Sequence, residues 1–146
     1  MSRAIVTVKP LSDRFPDEPY DRLEAVCHGA GEPLSTVAQQ AVAEWLTMAE
    51  HPGVVFRGGP TGRRASLAAG PDVWEVAAVV VPQDGSPEDR LAAAAEHLGL
   101  SVHQVEIAAA YWAAHRAEIE HRLAANLEAA DREATAWEQR RTLLGA

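Results

Sequence analysis

Three arginines crowd one short stretch of this chain: Arg57 in VVFRGG and Arg63-Arg64 in GRRASL, with no carboxylate between residues 51 and 64. Guanidiniums beside a Gly-rich loop hold phosphate through paired N–H donors. The loop GGPTGRR lacks the Lys-Ser/Thr pair of a nucleotide-binding loop, so its expected chemistry is phosphate contact without nucleotide hydrolysis. A second group, Ser101, His103 and Gln104, opens the segment SVHQ. Hydroxyl, imidazole and amide at one helix start are side chains that reach phosphates and base edges in DNA. Glu106 on the same segment works against an anionic ligand. Catalysis finds less support. His28, His51, His97, His103, His115 and His121 are scattered, and none forms the H-x-x-x-H or H-E-x-x-H spacing of a zinc site. The single cysteine, Cys27, excludes an intramolecular disulfide and a Cys-based zinc centre, and it reads as a small core residue. No Ser-His-Asp or Cys-His grouping shows in order or spacing. The expectation is a binding protein, not an enzyme, with no metal and no cofactor.

These residues need elements to position them. The stretch SPEDRLAAAAEHLGLSVHQVEIAAAYW reads as two helices about a tight turn. Ser86 caps the first, with Pro87 at the first helical position and Asp89 completing a capping box. Gly99 ends it, and Ser101 with Gln104 forms a second box. Leu91, Ala94, Ala95 and Leu98 share a face that Leu100, Val102 and Val105 continue, which is the spacing of a helix-turn-helix or of any helical hairpin. Val54–Phe56 and Arg64–Leu67 flank the Gly/Pro loop as a β-hairpin. PDVWEVAAVVV is expected to be a helix started by Pro71 and Asp72 and ended by Pro82. From Ser101 to about Thr142 there is no proline or glycine, so the last helix is expected to run long. Along it Ile119, Leu123, Leu127, Ala130, Ala134 and Trp137 recur at three- and four-residue steps, among Glu118, Glu120, Glu128, Asp131, Glu133 and Glu138 with Arg116, Arg122 and Arg132 interleaved. Such a stripe needs a partner surface: its own domain, a second copy, or a groove on another protein. Ile119, Leu123, Leu127 and Trp137 are the expected contacts.

Ahead of these lies a segment of different period. AIVTV at residues 4–8 and a second piece, Leu11 to Phe15, read as extended. Tyr20, Leu23, Val26 and Cys27 then fall at helical spacing, stopped by Gly29 or Gly31, and a further helix starts at Ser35 with Val37, Ala38, Ala41, Val42, Trp45 and Leu46 on one face. In Arg14-Phe15-Pro16, Leu23, Gly31, Leu34-Ser35, Ala41 and Trp45-Leu46 this segment resembles the ribbon-helix-helix family, whose subunits pair one strand each into a ribbon laid in the DNA major groove. The resemblance implies a dimer in which residues 10, 12 and 14 face base edges and 11, 13 and 15 point inward. Ser12 and Arg14 are then the DNA contacts. Pro10 has no amide for the ribbon, and Asp13 stands at an inward position where the family prefers an apolar residue. From His51 to His115, the words HPGV, GGP, GRRASL, PDVWEV and GSPEDRLAAAAEHLGLSVHQVEIAAAYWAAH resemble the domain of unknown function family 433, whose members are for the most part described as VapB-type antitoxins. Members usually carry Thr-Arg-Ile where this chain has Arg63-Arg64-Ala65. That resemblance implies a toxin partner, an RNase, and binding of operator DNA.

Composition bounds the rest. With 47% hydrophobic residues and only 5% aromatic, the 146-residue chain reads as globular and mainly helical. A formal charge of -8 argues against coating nucleic acid by bulk electrostatics, although a local basic hairpin can still touch phosphate. No apolar run approaches a membrane span, and MSRAIVTVKP lacks a secretory core, so the expected compartment is the cytoplasm. The expected architecture is mainly α: a ribbon-helix-helix-like strand-helix-helix over residues 1–50, a hairpin plus three-helix helix-turn-helix domain over 51–115 whose last helix is long, and that helix's amphipathic extension over 116–146. The expected function is that of an antitoxin-like, homodimeric DNA-binding regulator, with Ser12, Arg14, Arg57, Arg63, Arg64, Ser101, His103 and Gln104 toward DNA. Its alternative is a protein-binding adaptor that does not bind DNA.

Overall fold

The computed structural model describes residues 14–59 and 62–145. Among them the chain is mainly helical, with one two-stranded antiparallel hairpin in mid-chain. It divides into two compact units, Met1–Ala43 and Glu44–Ala146. The extended pieces expected at residues 4–8 and 11–13, Ser12 among them, lie outside the described residues. Arg14, Phe15 and Pro16 belong to no strand.

In the first unit, α1 (Asp17–Ala30) carries Asp17 and Glu18 in its first turn, where they oppose the helix dipole, and it closes at Gly31. The second helix, α2 (Leu34–Glu50), runs across the boundary, its part from Glu44 belonging to the second unit; it begins one residue before the expected start, with Thr36 and Val37 N–H donating to the Pro33 carbonyl. Cys27 is the one buried residue in the described part of this unit. Phe15, Tyr20, Val26 and Val42 remain exposed.

The second unit holds the core. Strands β1 (Val54–Gly59) and β2 (Gly62–Leu67) pair from Val54↔Leu67 to Gly59↔Gly62, with Arg57 opposite Arg64 and Gly58 opposite Arg63. Val54, Ala65 and Leu67 are buried, and β2 packs onto α3 (Val73–Val80), whose Val73, Val76, Ala77 and Val80 are all buried. Apolar on nearly every side, α3 is the central element: β2, α4 (Pro87–Leu98), α5 (Val102–Ala114) and α6 (Arg116–Leu143) all pack on it.

Helices α4 (Pro87–Leu98) and α5 (Val102–Ala114) form as the caps dictate. Ser86 Oγ accepts from Asp89 N at 3.2 Å while Asp89 Oδ2 accepts from Ser86 N, and Ser101 and Gln104 repeat the exchange. Between them Gly99 sits at φ 65°, a left-handed conformation that a side chain makes costly. Ala94, Ala95, Val105 and Ala108 close the α3 side of the pair.

One expectation is corrected. The helix expected to run unbroken from Ser101 to Thr142 breaks at His115 (φ −119°, ψ 42°), and α6 (Arg116–Leu143) starts afresh. No breaker residue is present; tertiary contacts bend the chain. The His115 ring stacks on buried Tyr111 at 4.2 Å, His51 meets both rings edge-on, and the Tyr111 hydroxyl donates to Glu118 at 3.0 Å. The break lets α6 lie against α3 rather than continue along α5, and it brings Ile119 into the core at 1% exposure.

Candidate functional site

The hairpin sets Arg57 opposite Arg64 and turns Arg63 to the other face, and each guanidinium has an internal partner. Arg57 donates to three carbonyls at the β2–α3 corner: Leu67 at 2.8 Å, Ala68 at 2.9 Å and Gly70 at 2.9 Å. It serves as the clasp of that corner. Arg63 meets Glu44 of α2 with two N–H donors at 2.6 and 2.7 Å, and adds the Phe56 carbonyl at 3.1 Å. The hydrogen-bonded Glu44 carboxylate lifts the Arg63 pKa above its ordinary value, against the pull of partial burial in the other direction. Arg64 Nε lies 2.7 Å from Asp72 Oδ2. Asp72 is itself buried and accepts the Ser66 hydroxyl and Trp74 Nε1–H. Three cations that read as phosphate ligands therefore tie the hairpin to α2, to the β2–α3 corner and to the start of α3.

The expected DNA contacts at the start of α5 are partly spent in the same way. Gln104 uses its amide oxygen on Ser101 N–H and its amide nitrogen on the Ala69 carbonyl at 2.7 Å, so it fixes α5 to the corner that Arg57 clasps. Ser101 is held in its cap. His103 is 80% exposed, with Glu106 3.5 Å from Nδ1. Across α4 and α5 stand Glu88, Asp89, Glu96 and Glu106 against Arg90 alone, and Arg90 donates to the Val80 and Val81 carbonyls. A surface of that sign repels phosphate. Arg14 is exposed just ahead of α1.

The expected partner face on α6 splits in two. Ile119 is buried and Leu123 packs against the core, so these two serve the fold rather than a partner. Leu127 and Trp137 stand 64% and 58% exposed, joined by Leu143 and Leu144 at the end.

A groove that the sequence did not announce lies between β2, α3 and the first turns of α6. It encloses about 510 Å³ and is lined by Arg64, Trp74, Glu118, His121, Arg122 and Asn126, with Ala125 and Ala129 between them. Arg122 Nη2 reaches across 59 residues of sequence to the Arg63 carbonyl at 3.1 Å. The i, i+4, i+8 spacing of Glu118, Arg122 and Asn126 was legible as one helical face; its apposition to Trp74 was not, because only the break at His115 creates it. Burial, with Glu118 beside it, raises the Tyr111 pKa, and Arg122 pulls in the other direction. No group of three or more His, Cys, Asp or Glu suited to a metal ion occurs among the described residues, and none of their helices is long and apolar enough to cross a membrane.

Compared with known proteins, the chain matches no family model, no curated protein and no solved structure.

Proposed function

We propose that the chain is an antitoxin-like regulator of the cytoplasm: its C-terminal helix masks a partner toxin, an RNase, while its N-terminal segment dimerises and binds operator DNA. One observation carries the partner half. Every residue from Ala130 to Gly145 is exposed, yet this part of α6 presents Trp137, Leu143 and Leu144 to water, continuing from exposed Leu127. Leu127 and Trp137, joined by Ala130 and Ala134 at three- and four-residue steps on an otherwise solvated helix, fit the groove of another protein. Counting Arg140 and Arg141, the carboxylates of α6 are nearly balanced by arginines, so the contact is apolar in character and not a simple acidic tail on a basic surface.

The resemblance of residues 51–115 to the domain of unknown function family 433 supports the toxin as partner. In this reading residues 1–50 form the ribbon-helix-helix-like part, 51–115 the hairpin and helix-turn-helix, and 116–146 the partner helix. The sparse burial in α1 and α2 supports a homodimer, since one buried side chain cannot offset the cost of ordering two helices. In this reading DNA contact falls to Ser12 and Arg14 by the ribbon-helix-helix resemblance, while Arg57, Arg63, Arg64 and Gln104 hold the hairpin and α5 in place.

A second reading, an adaptor without DNA contact, is favoured by the four carboxylates on α4 and α5. Two measurements decide. Co-expressed with the product of the neighbouring reading frame, the chain should elute as a complex and suppress that product's RNase activity; Leu127→Asp with Trp137→Asp should abolish both effects. A complex indifferent to that double variant overturns the partner role. A gel shift with the chain's own promoter region, lost in Arg14→Ala, supports the regulator; no shift even at low salt leaves the adaptor.

A further inference from the structure

The geometry points to the groove between β2, α3 and α6 as a binding site for a carboxylate carried on a flat apolar body, with Arg122 as the anion contact and the Trp74 indole as the apolar wall. The inference is independent of what the outer half of α6 binds.

The charges decide the ligand class. Arg64 is neutralised by Asp72 at 2.7 Å, and Glu118 is held by the Tyr111 hydroxyl at 3.0 Å. Arg122 is half-buried, and its one hydrogen bond among the described residues goes to a neutral carbonyl; no carboxylate of those residues pairs with it. A half-buried guanidinium facing a groove with donors to spare is the side chain that takes a carboxylate with two parallel N–H bonds. Glu118 on the same wall penalises a second negative charge, which favours a monoanion over phosphate. The remaining lining is indole and two alanine methyls, which offer contact to a ring; His121 and Asn126 supply polar contacts at the rim. The volume, about 510 Å³, falls in the range of small-molecule pockets. An aromatic carboxylate satisfies these terms, whether free or borne by a peptide in which an acidic residue adjoins an aromatic one.

The test uses the full chain and its indole N–H signals in proton–nitrogen NMR spectra. Benzoate, inorganic phosphate, benzyl alcohol and the peptide acetyl-Phe-Glu-amide are titrated at constant ionic strength. Benzoate or the peptide should give saturable shifts at one indole signal, with Kd on the order of 1 mM. The tighter of the two identifies a small molecule or a protein segment as the natural source. Benzyl alcohol and phosphate should bind more weakly. Arg122→Gln should weaken binding roughly tenfold, and Ala125→Leu, on an exposed turn of α6, should block the groove without touching the core. The site is overturned by shifts that never saturate, by unchanged affinity in both variants, or by phosphate binding more tightly than benzoate. Unfolding midpoints near that of the parent confirm that each variant retains the fold.

Discussion

At the scale of single residues, the arginines show the difference between reading a side chain's chemistry and reading its employment. Guanidiniums were legible as donors in search of oxygen. The oxygens they found are 7 to 19 residues away for Arg57 and Arg63, and local spacing carries no record of such pairs. Tyr111 was legible as part of a helix face but not as the residue that joins α5 to α6. Burial is the first cause of its raised pKa, with the Glu118 charge and hydrogen bond second. The folded state thus holds the phenol neutral above its ordinary range. The neutral form's contribution to stability is complete below about pH 10, the unfolded value, and is lost as pH rises from there toward the folded value. Urea unfolding followed from pH 8 to 12 should show stability falling across the upper part of that window. Tyr111→Phe should flatten the fall while lowering stability at pH 8, by about 1 kcal/mol for the lost hydrogen bond. A slope unchanged in Tyr111→Phe would place the alkaline sensitivity elsewhere, Tyr20 beside Glu24 being the first alternative.

At the scale of elements, what a few neighbouring residues decide was readable and what distant contacts decide was not. Both capping boxes, the Gly99 stop and the hairpin arise within windows of four to fourteen residues, and the structure reproduces them. The break at His115 arises from ring stacking with Tyr111 and His51 and from the burial of Ile119, and an uninterrupted Ala/Glu/Arg sequence gives no sign of it. The α4–α5 turn provides the cleaner test. Nothing lies within 4 Å of a Cβ built on Gly99, so a substitution there meets backbone strain alone. Gly99→Ala should destabilise the second unit by about 1 kcal/mol, and Gly99→Asn, whose side chain tolerates the left-handed region, by less. Thermal or urea unfolding of the two variants gives the ranking. Equal stability of Gly99→Ala and the parent would mean that the turn is not held in the conformation described.

At the scale of the whole molecule, the mainly helical class and the mid-chain hairpin were legible because burial periodicity, caps and turn residues all agree in residues 51–115. The division of labour along α6 was not, because one unbroken stripe of Ile119, Leu123, Leu127 and Trp137 does two different things. Its first two members face α3 and their neighbours, where removing atoms leaves a cavity; its last two face water, where removing atoms leaves nothing. Ile119→Ala should therefore cost about 2–4 kcal/mol in unfolding free energy. Leu127→Ala and Trp137→Ala should each stay within about 0.5 kcal/mol. If α6 masks a toxin as proposed, affinity for it should rank the other way, with Trp137→Ala the most damaging, since a large aromatic in a partner's pocket carries a disproportionate share of an interface. Measured on one set of purified variants, unfolding and complex formation ought to rank these substitutions in opposite order. If Trp137→Ala instead unfolds the chain as readily as Ile119→Ala does, then the outer half of α6 is spent on the protein's own fold and has no free face to offer.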